Sequence, residues 1–251
     1  EAGVLQKVMT DLAELLERLA QEDYMVEWLT FGFFAAAGLL FSLEARRLGF
    51  FRAWIVTAAA IFCFGVAGEE ISWGQRLFGF LPPRIFLEDN FQQESNLHNL
   101  LQPFIKPKWL VVFTLAVWGA VLPALRAFSS GRRLPLPQHT EAITLPLSFT
   151  PWALIGVVLL AVYPADFTGE YIELLTGTLF YLAACGRSTP GGRRRAALAA
   201  LPLFIAASGF GFTELRARLG GEQKVSCARN EVQALARAIC GGEAAERLLD
   251  A

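Results

Sequence analysis

Ala53-Trp54-Ile55-Val56-Thr57-Ala58-Ala59-Ala60-Ile61-Phe62-Cys63-Phe64-Gly65-Val66-Ala67 carries no charge, and it runs straight into Gly68-Glu69-Glu70-Ile71-Ser72-Trp73-Gly74-Gln75-Arg76. Such an apolar run predicts a helix in lipid, because a helix satisfies its own backbone where no water can. A pair of carboxylates at the end of a span is costly to bury, so it marks a pairing or a functional position. Further along stands a second polar block, Asn90-Phe91-Gln92-Gln93-Glu94-Ser95-Asn96-Leu97-His98-Asn99. The other segments are expected to hold these two blocks together at one face of a membrane.

Outward from that stretch the chain repeats the same alternation. It has 251 residues, of which 54% are hydrophobic and only 18% charged, too apolar for an ordinary soluble domain. The expected fold is all-α: a polytopic helical membrane protein of about six spans. The spans run roughly from Met25 to Leu43, Ala53 to Gln75, Trp109 to Leu125, Pro151 to Tyr163, Glu170 to Cys185 and Ala196 to Phe212. Residues 1–23 place Val4, Leu5, Val8, Leu12 and Leu15 on one face and form an amphipathic helix. Residues 24–213 make the transmembrane domain, with a polar interfacial or re-entrant segment at 77–106, and 214–251 make a polar tail. The proline-rich stretch 129–149 is expected to be irregular.

Several classes recede on the same grounds. A net charge of −1 gives no bulk attraction to nucleic acid, so no nucleic-acid partner is expected. The chain opens on charged residues without an apolar core, so no cleavable signal peptide is expected. The longest internal repeat is the tripeptide Gly-Arg-Arg at 131–133 and 192–194, which does not support duplicated transporter halves. Cys63 and Cys185 lie in apolar runs as small packing residues, whereas Cys227 and Cys240 in the tail form a disulfide only in an oxidising compartment.

Orientation follows from the basic residues. Arg46, Arg47 and Arg52 follow the first span, Arg126, Arg132 and Arg133 the third, and Arg187 with Arg193 to Arg195 the fifth. The positive-inside rule puts those connections in the cytoplasm, and both termini and the polar blocks on the outer side. That outer face then gathers Glu27, Glu69, Glu70, Glu94, Glu170 and Glu173 with His98 and Arg76.

Spacing suggests what these groups could do. On one continuous helix Glu69, Trp73 and Arg76 would share a face, with Glu70 turned about 100° away. Asn90, Glu94 and His98 are spaced by four, so a helix there would line them up. Glu69, Glu70, His98 and Arg76 are therefore candidate catalytic residues, with a glutamate as general base and His98 as its acid/base partner. Gln75, Asn90, Gln93, Asn96, Asn99 and Glu173 are candidate substrate-binding residues. A divalent metal held by Glu94 and His98, with Glu69 or Glu70, is a variant of that site. Plainer readings stand beside these. Glu27 and Glu170 could serve only the dipole at a helix start, the amide run could satisfy its own loop backbone, and His98 could be a hydrogen-bonded structural residue. Trp28, Trp73, Trp109 and Trp152 are expected as interfacial anchors, and His139 as solvated.

EEISWGQR followed by N-x-Q-x-E-x-N-L-H-N, together with EDYMVEWLT and GEYIELL, resembles the signature of a family of bacterial multi-pass membrane proteins without an assigned activity. The resemblance covers most of residues 22–185 and implies a membrane fold in the bacterial inner membrane, but no reaction. A weaker likeness is to the CAAX-type intramembrane glutamate proteases, whose paired glutamates precede an arginine by three residues. Here Arg76 follows Glu70 by six, and His98 is the one nearby histidine.

Two functions remain open at this point. One is a membrane hydrolase or transferase acting on a membrane-associated substrate at the outer face. The other is a non-catalytic accessory or structural subunit of a larger membrane complex, its cluster serving helix packing and partner or lipid binding. Membrane lipids, and other membrane subunits in the second case, are the expected partners.

Overall fold

Two helices, α1 (Met25–Leu48) and α2 (Trp54–Glu70), form an antiparallel hairpin, and the helix Phe167–Cys185 packs on the first of them. The turn between them needs a left-handed residue, and Gly49 supplies it at φ 88°. Thr57 Oγ1 then donates to the Phe50 carbonyl at 3.0 Å and ties the turn to the second helix. The structure, a computed structural model, describes residues 25–83, 85–86, 94–97, 106–129, 136–162, 167–186, 200–213 and 215. The expected amphipathic helix over 1–23, the tail cysteines, and much of the 77–106 segment lie outside these residues.

Among the described residues the chain is all-helical, with seven helices. After α2 come a single 3-10 turn, Ser72–Gly74, and the short α3, Gln75–Phe78. The next helix, α4, begins as Pro107–Thr114, widens to a π-helix over Leu115–Val121 and closes as Leu122–Ser129. Pro123 explains the widening. It offers no N–H to the preceding turn, and its ring would collide with the carbonyl four residues back unless the backbone opened there. Then follow α5 (Thr150–Val162), α6 (Phe167–Cys185) and α7 (Ala200–Thr213). The chain divides into a unit over Glu1–Gly209 and a second over Phe210–Ala251, of which 210–213 and 215 are described.

Small residues let the helices of the first unit approach closely, which is how helices associate where lipid removes the hydrophobic drive between them. Gly38 lies under Phe64, Gly177 under Phe34, and Gly156 against Leu115 and Ile172. Gly32 meets the Pro202 carbonyl and Ala206, and Gly209 meets Trp28, so α7 runs antiparallel to α1. Phe34, Phe41, Leu115 and Leu179 are fully enclosed. At the centre Trp118 stacks on Phe180 with centroids 3.8 Å apart, and its Nε1 donates to the Ile143 carbonyl at 2.8 Å.

Outside, the molecule is apolar: Ile61, Phe64, Phe113, Val158 and Phe204 are all exposed, a surface that water would not tolerate. Two helices are long and apolar enough to cross a membrane, the 24-residue α1 and the 21-residue stretch Lys108–Phe128 of α4. A third joins them if α2 and the Ser72–Phe78 segment, bent by 65°, count as one span. Leu147–Val162 and Ala200–Thr213 are shorter apolar helices. These helices place the chain at a membrane.

Helix direction sorts the charges. The start of α1, the end of α2 and the start of α6 bring Glu27, Glu69, Glu70, Glu170 and Glu173 to one end. Arg46 and Arg47 close α1 at the other end, and Arg126 sits in the last turns of α4.

Two expectations are corrected. The second span does not run on to Gln75 as one helix: the helix stops at Glu70, because Ser72, Trp73 and Gly74 all adopt positive φ. Residues 94–96 are not helical, and Asn90 and His98 lie outside the described residues. Trp28 is no interfacial anchor; it is 4% exposed, packed edge-on to Phe31. The described part of the proline-rich connection is irregular, as expected, and packed into the protein. It forms 3-10 turns at Thr140–Ala142 and Leu147–Phe149 and buries Thr140, Ala142, Ile143 and Leu145.

One tight helix contact gives a test. A Cβ at Gly119 would lie 2.5 Å from the Ala153 Cβ, whereas one at Gly169 meets nothing within 4 Å. Gly119→Val is expected to cost about 1–3 kcal/mol, read as a lowered thermal midpoint of the detergent-purified protein, while Gly169→Ala leaves the midpoint unchanged or raises it.

Candidate functional site

The site begins where α2 ends. Ile71 leaves the helix, and Ser72 (φ 47°), Trp73 (φ 52°) and Gly74 (φ 91°) make a left-handed turn. Gly74 takes that conformation freely, but for Ser72 and Trp73 it costs about 1–2 kcal/mol each. Hydrogen bonds hold the turn. Trp73 Nε1 donates to Glu69 Oε1 at 2.6 Å, and Ser72 Oγ donates to Glu94 Oε2 at 2.8 Å.

Beyond the turn, α3 aims Arg76 back into the protein. Its guanidinium pairs with Glu27 at the start of α1 and reaches Glu94 Oε1 at 3.2 Å and Oε2 at 3.3 Å. The side chains of Arg76, Glu27 and Glu94 are 10%, 11% and 17% exposed, so the group is largely withdrawn from solvent. Asn96 Nδ2 donates to Glu94 Oε2 at 2.9 Å, and the Ser95 amide to Gln75 Oε1 at 2.7 Å. Planar guanidinium, two carboxylates and two amide side chains thus tie α1, α3 and residues 94–96 into one knot, the arrangement a buried charge requires.

Glu69 and Glu70 face elsewhere. Along with Glu173 they stand on the wall of a cavity of about 410 Å³, whose other walls include Phe34, Phe62, Val66, Leu110 and Val111. Glu69 is fixed by Trp73 and by the Leu97 amide, which donates to its Oε2 at 2.7 Å. Glu70 accepts no hydrogen bond from a described residue, and its electrostatic neighbours are Glu173, Glu170, Glu27 and Arg76. A carboxylate in this setting can take a proton from, or hold a donor on, whatever occupies the cavity.

The residues singled out from sequence therefore divide. Glu69, Glu70 and Glu173 line the cavity. Arg76, Gln75, Glu94 and Asn96 belong to the knot beside it and do not line it. His98, Asn90, Gln93 and Asn99 lie outside the described residues. Among the described residues no three His, Cys, Asp or Glu side chains are placed to hold a metal ion, and Glu94 is engaged by Arg76, Ser72 and Asn96. His139 is partly exposed, 3.9 Å from Glu141 on the far side of α4 from these groups.

Sequence reasoning missed Ser72 as a carboxylate donor, Trp73 as a partner of Glu69, and the walls from α4 and, beyond Glu173, from α6. The signal for the walls lay in Thr114 and Thr176, polar residues inside apolar runs that both line the cavity. Thr176 satisfies its hydroxyl on the Ile172 carbonyl at 2.6 Å. Comparison with protein families, with curated proteins and with solved structures finds no match for this chain.

The knot makes a quantitative demand. Arg76→Met strands two buried carboxylates and is expected to destabilise the protein by about 3–5 kcal/mol. Adding Glu27→Gln and Glu94→Gln to that variant removes the stranded charges, so the triple variant should recover much of the loss. Thermal unfolding in detergent reads both. Arg76→Lys keeps the charge without the planar fork and should fall between wild type and Arg76→Met.

Proposed function

We propose that this chain is a multi-span membrane enzyme, a hydrolase or transferase, that draws a membrane-associated amphiphile into the cavity beside Glu69, Glu70 and Glu173. One observation carries the reading: an apolar hollow within an apolar exterior ends in carboxylates, one of which, Glu70, accepts no hydrogen bond from a described residue. Glu70 is the general base. Glu69, already fixed by Trp73 Nε1 and the Leu97 amide, shapes the site beside it. His98 remains its candidate acid/base partner.

The full arrangement we infer has six spans in a bacterial inner membrane, with the acidic end outside. Its support is the alternation of helix direction, which gathers carboxylates at one end and Arg46, Arg47 and Arg126 at the other. The likeness of the EEISWGQR and NLHN blocks to bacterial multi-pass proteins points the same way.

A second reading is favoured by a different observation. The closed knot of Arg76, Glu27 and Glu94 is what a packing device looks like, and it suits an accessory subunit whose polar segment docks on a partner. Glu70 separates the two. In a strain lacking the gene, complemented with Glu70→Gln, the variant is expected to reach the membrane at wild-type level while turnover falls about 10²–10⁴-fold. The readout is mass spectrometry of membrane extracts: a compound that builds up on deletion builds up equally with Glu70→Gln. Extracts identical to wild type, or loss of a co-purifying subunit in their place, would overturn the enzymatic reading.

A further inference from the structure

The walls of the cavity also specify what can sit at its acidic end. None of the described lining residues is cationic, while Glu69, Glu70 and Glu173 stand together on the wall, with Glu170 and Glu27 in electrostatic reach of Glu70. Arg76 contributes the opposing charge, but its guanidinium is shared by Glu27 and Glu94. A phosphate or carboxylate head group would meet like charges in surroundings that screen them poorly. An ammonium group would meet acceptors on two helices, α2 and α6, and the ring of Trp73 on the same wall, whose face attracts cations.

The apolar part of the ligand follows from the same walls. Phe34, Phe62, Val66, Leu110 and Val111 offer a hydrocarbon chain contact but no hydrogen bond. Gly65 adds room, since a Cβ built there meets nothing within 4 Å although the residue lines the cavity. Phe62, Trp73, Leu97 and Leu110 are all lining residues that are also exposed, so the cavity opens through an apolar rim, as a site filled from the bilayer would. Its volume of about 410 Å³ suits one small amphiphile.

We propose that the ligand of this cavity is a single-chain amphiphile with a cationic, ammonium-type head group, the head seated among Glu69, Glu70 and Glu173 and the chain among the aromatic and aliphatic walls. This rests on the reading of the cavity as an amphiphile site and adds the sign of the head group to it.

The test uses the purified full chain in nanodiscs of zwitterionic lipid, titrated separately with dodecylamine, dodecanol and dodecanoate. Tryptophan fluorescence is followed against empty discs, since Trp73 lines the site. Dodecylamine is expected to bind saturably, dodecanol about tenfold more weakly or worse, and dodecanoate not at all. The double variant Glu70→Gln, Glu173→Gln should lose about tenfold or more for dodecylamine and nothing for dodecanol. Gly65→Leu, which fills the hollow, should abolish binding of both. Equal binding of dodecylamine and dodecanol, an unaffected double variant, or preference for dodecanoate would overturn the cationic head group and leave the amphiphile site standing. No saturable binding of any probe would overturn both. The comparison of three probes on the wild-type chain decides the matter even if a variant fails to fold.

Discussion

Arg76 governs the geometry of everything near it. One guanidinium joins residues 49 and 18 positions away in sequence, Glu27 and Glu94, and so fixes the start of α1, the segment after α2 and the polar stretch around residue 95 against each other. A charge withdrawn from water is tolerable only when paired, so these three elements have little freedom to separate. The left-handed turn at residues 72–74 is what lets the pairing happen. A helix continued through Trp73 would carry Arg76 onward along the axis of α2, whereas the 65° bend returns it toward α1. Strain of this sort persists only where surrounding bonds over-determine it, and Trp73 Nε1 on Glu69 with Ser72 Oγ on Glu94 are those bonds.

The cavity is a consequence of that bend. With Arg76 committed to Glu27 and Glu94, Glu69 and Glu70 are left on the side of α2 that looks toward α4 and α6. Elsewhere the helices are drawn together by glycines, Gly32 on the Pro202 carbonyl, Gly209 on Trp28 and Gly119 on Ala153 being the closest. At the acidic end Gly209 still closes on Trp28, but on the cavity wall a Cβ built at Gly65 meets nothing within 4 Å. Tight packing toward the centre and a hollow at one end therefore coexist in the same bundle, and the carboxylates stand at the hollow.

Much of this was legible in the residues, for a reason that can be named. Lipid demands long uncharged runs, so the apolar stretches from Met25, Ala53, Trp109, Pro151 and Ala196 announce helices, and the observed ones begin within a few residues of those positions. The acidic grouping was legible too, because helix alternation alone brings Glu27, Glu69, Glu70 and Glu173 to one end. The break after Glu70 was not. Ile71-Ser72-Trp73 contains no proline, and a lone Gly74 is weak punctuation; what holds the break is the Trp73 indole on Glu69 together with a hydrogen bond from Ser72 to Glu94, 22 positions away. The burial of Trp28 failed for the same reason, since its cover is Gly209 on a helix at the far end of the chain. Ile143 and Leu145 looked like loop residues because prolines flank them, yet the Trp118 indole needs an acceptor and finds it in the Ile143 carbonyl. Composition reports the solvent a segment faces; it does not report which distant group will complete a hydrogen bond.

The knot and the cavity are better understood as two parts of one device than as rival explanations. A carboxylate poised for chemistry inside a membrane needs neighbours that stay still, because a site displaced by even an ångström loses much of its rate. Arg76 is the group able to hold α1 and α3 together, and being shared between Glu27 and Glu94 it offsets only part of the negative charge around Glu70. Were the cluster built for packing alone, Glu70 would be expected to join the knot or to be replaced by an apolar residue, since a carboxylate on a hydrocarbon wall weakens a bundle. Its place beside Glu69, on the wall of a cavity that Glu173 also lines, is what a packing role leaves without a cause.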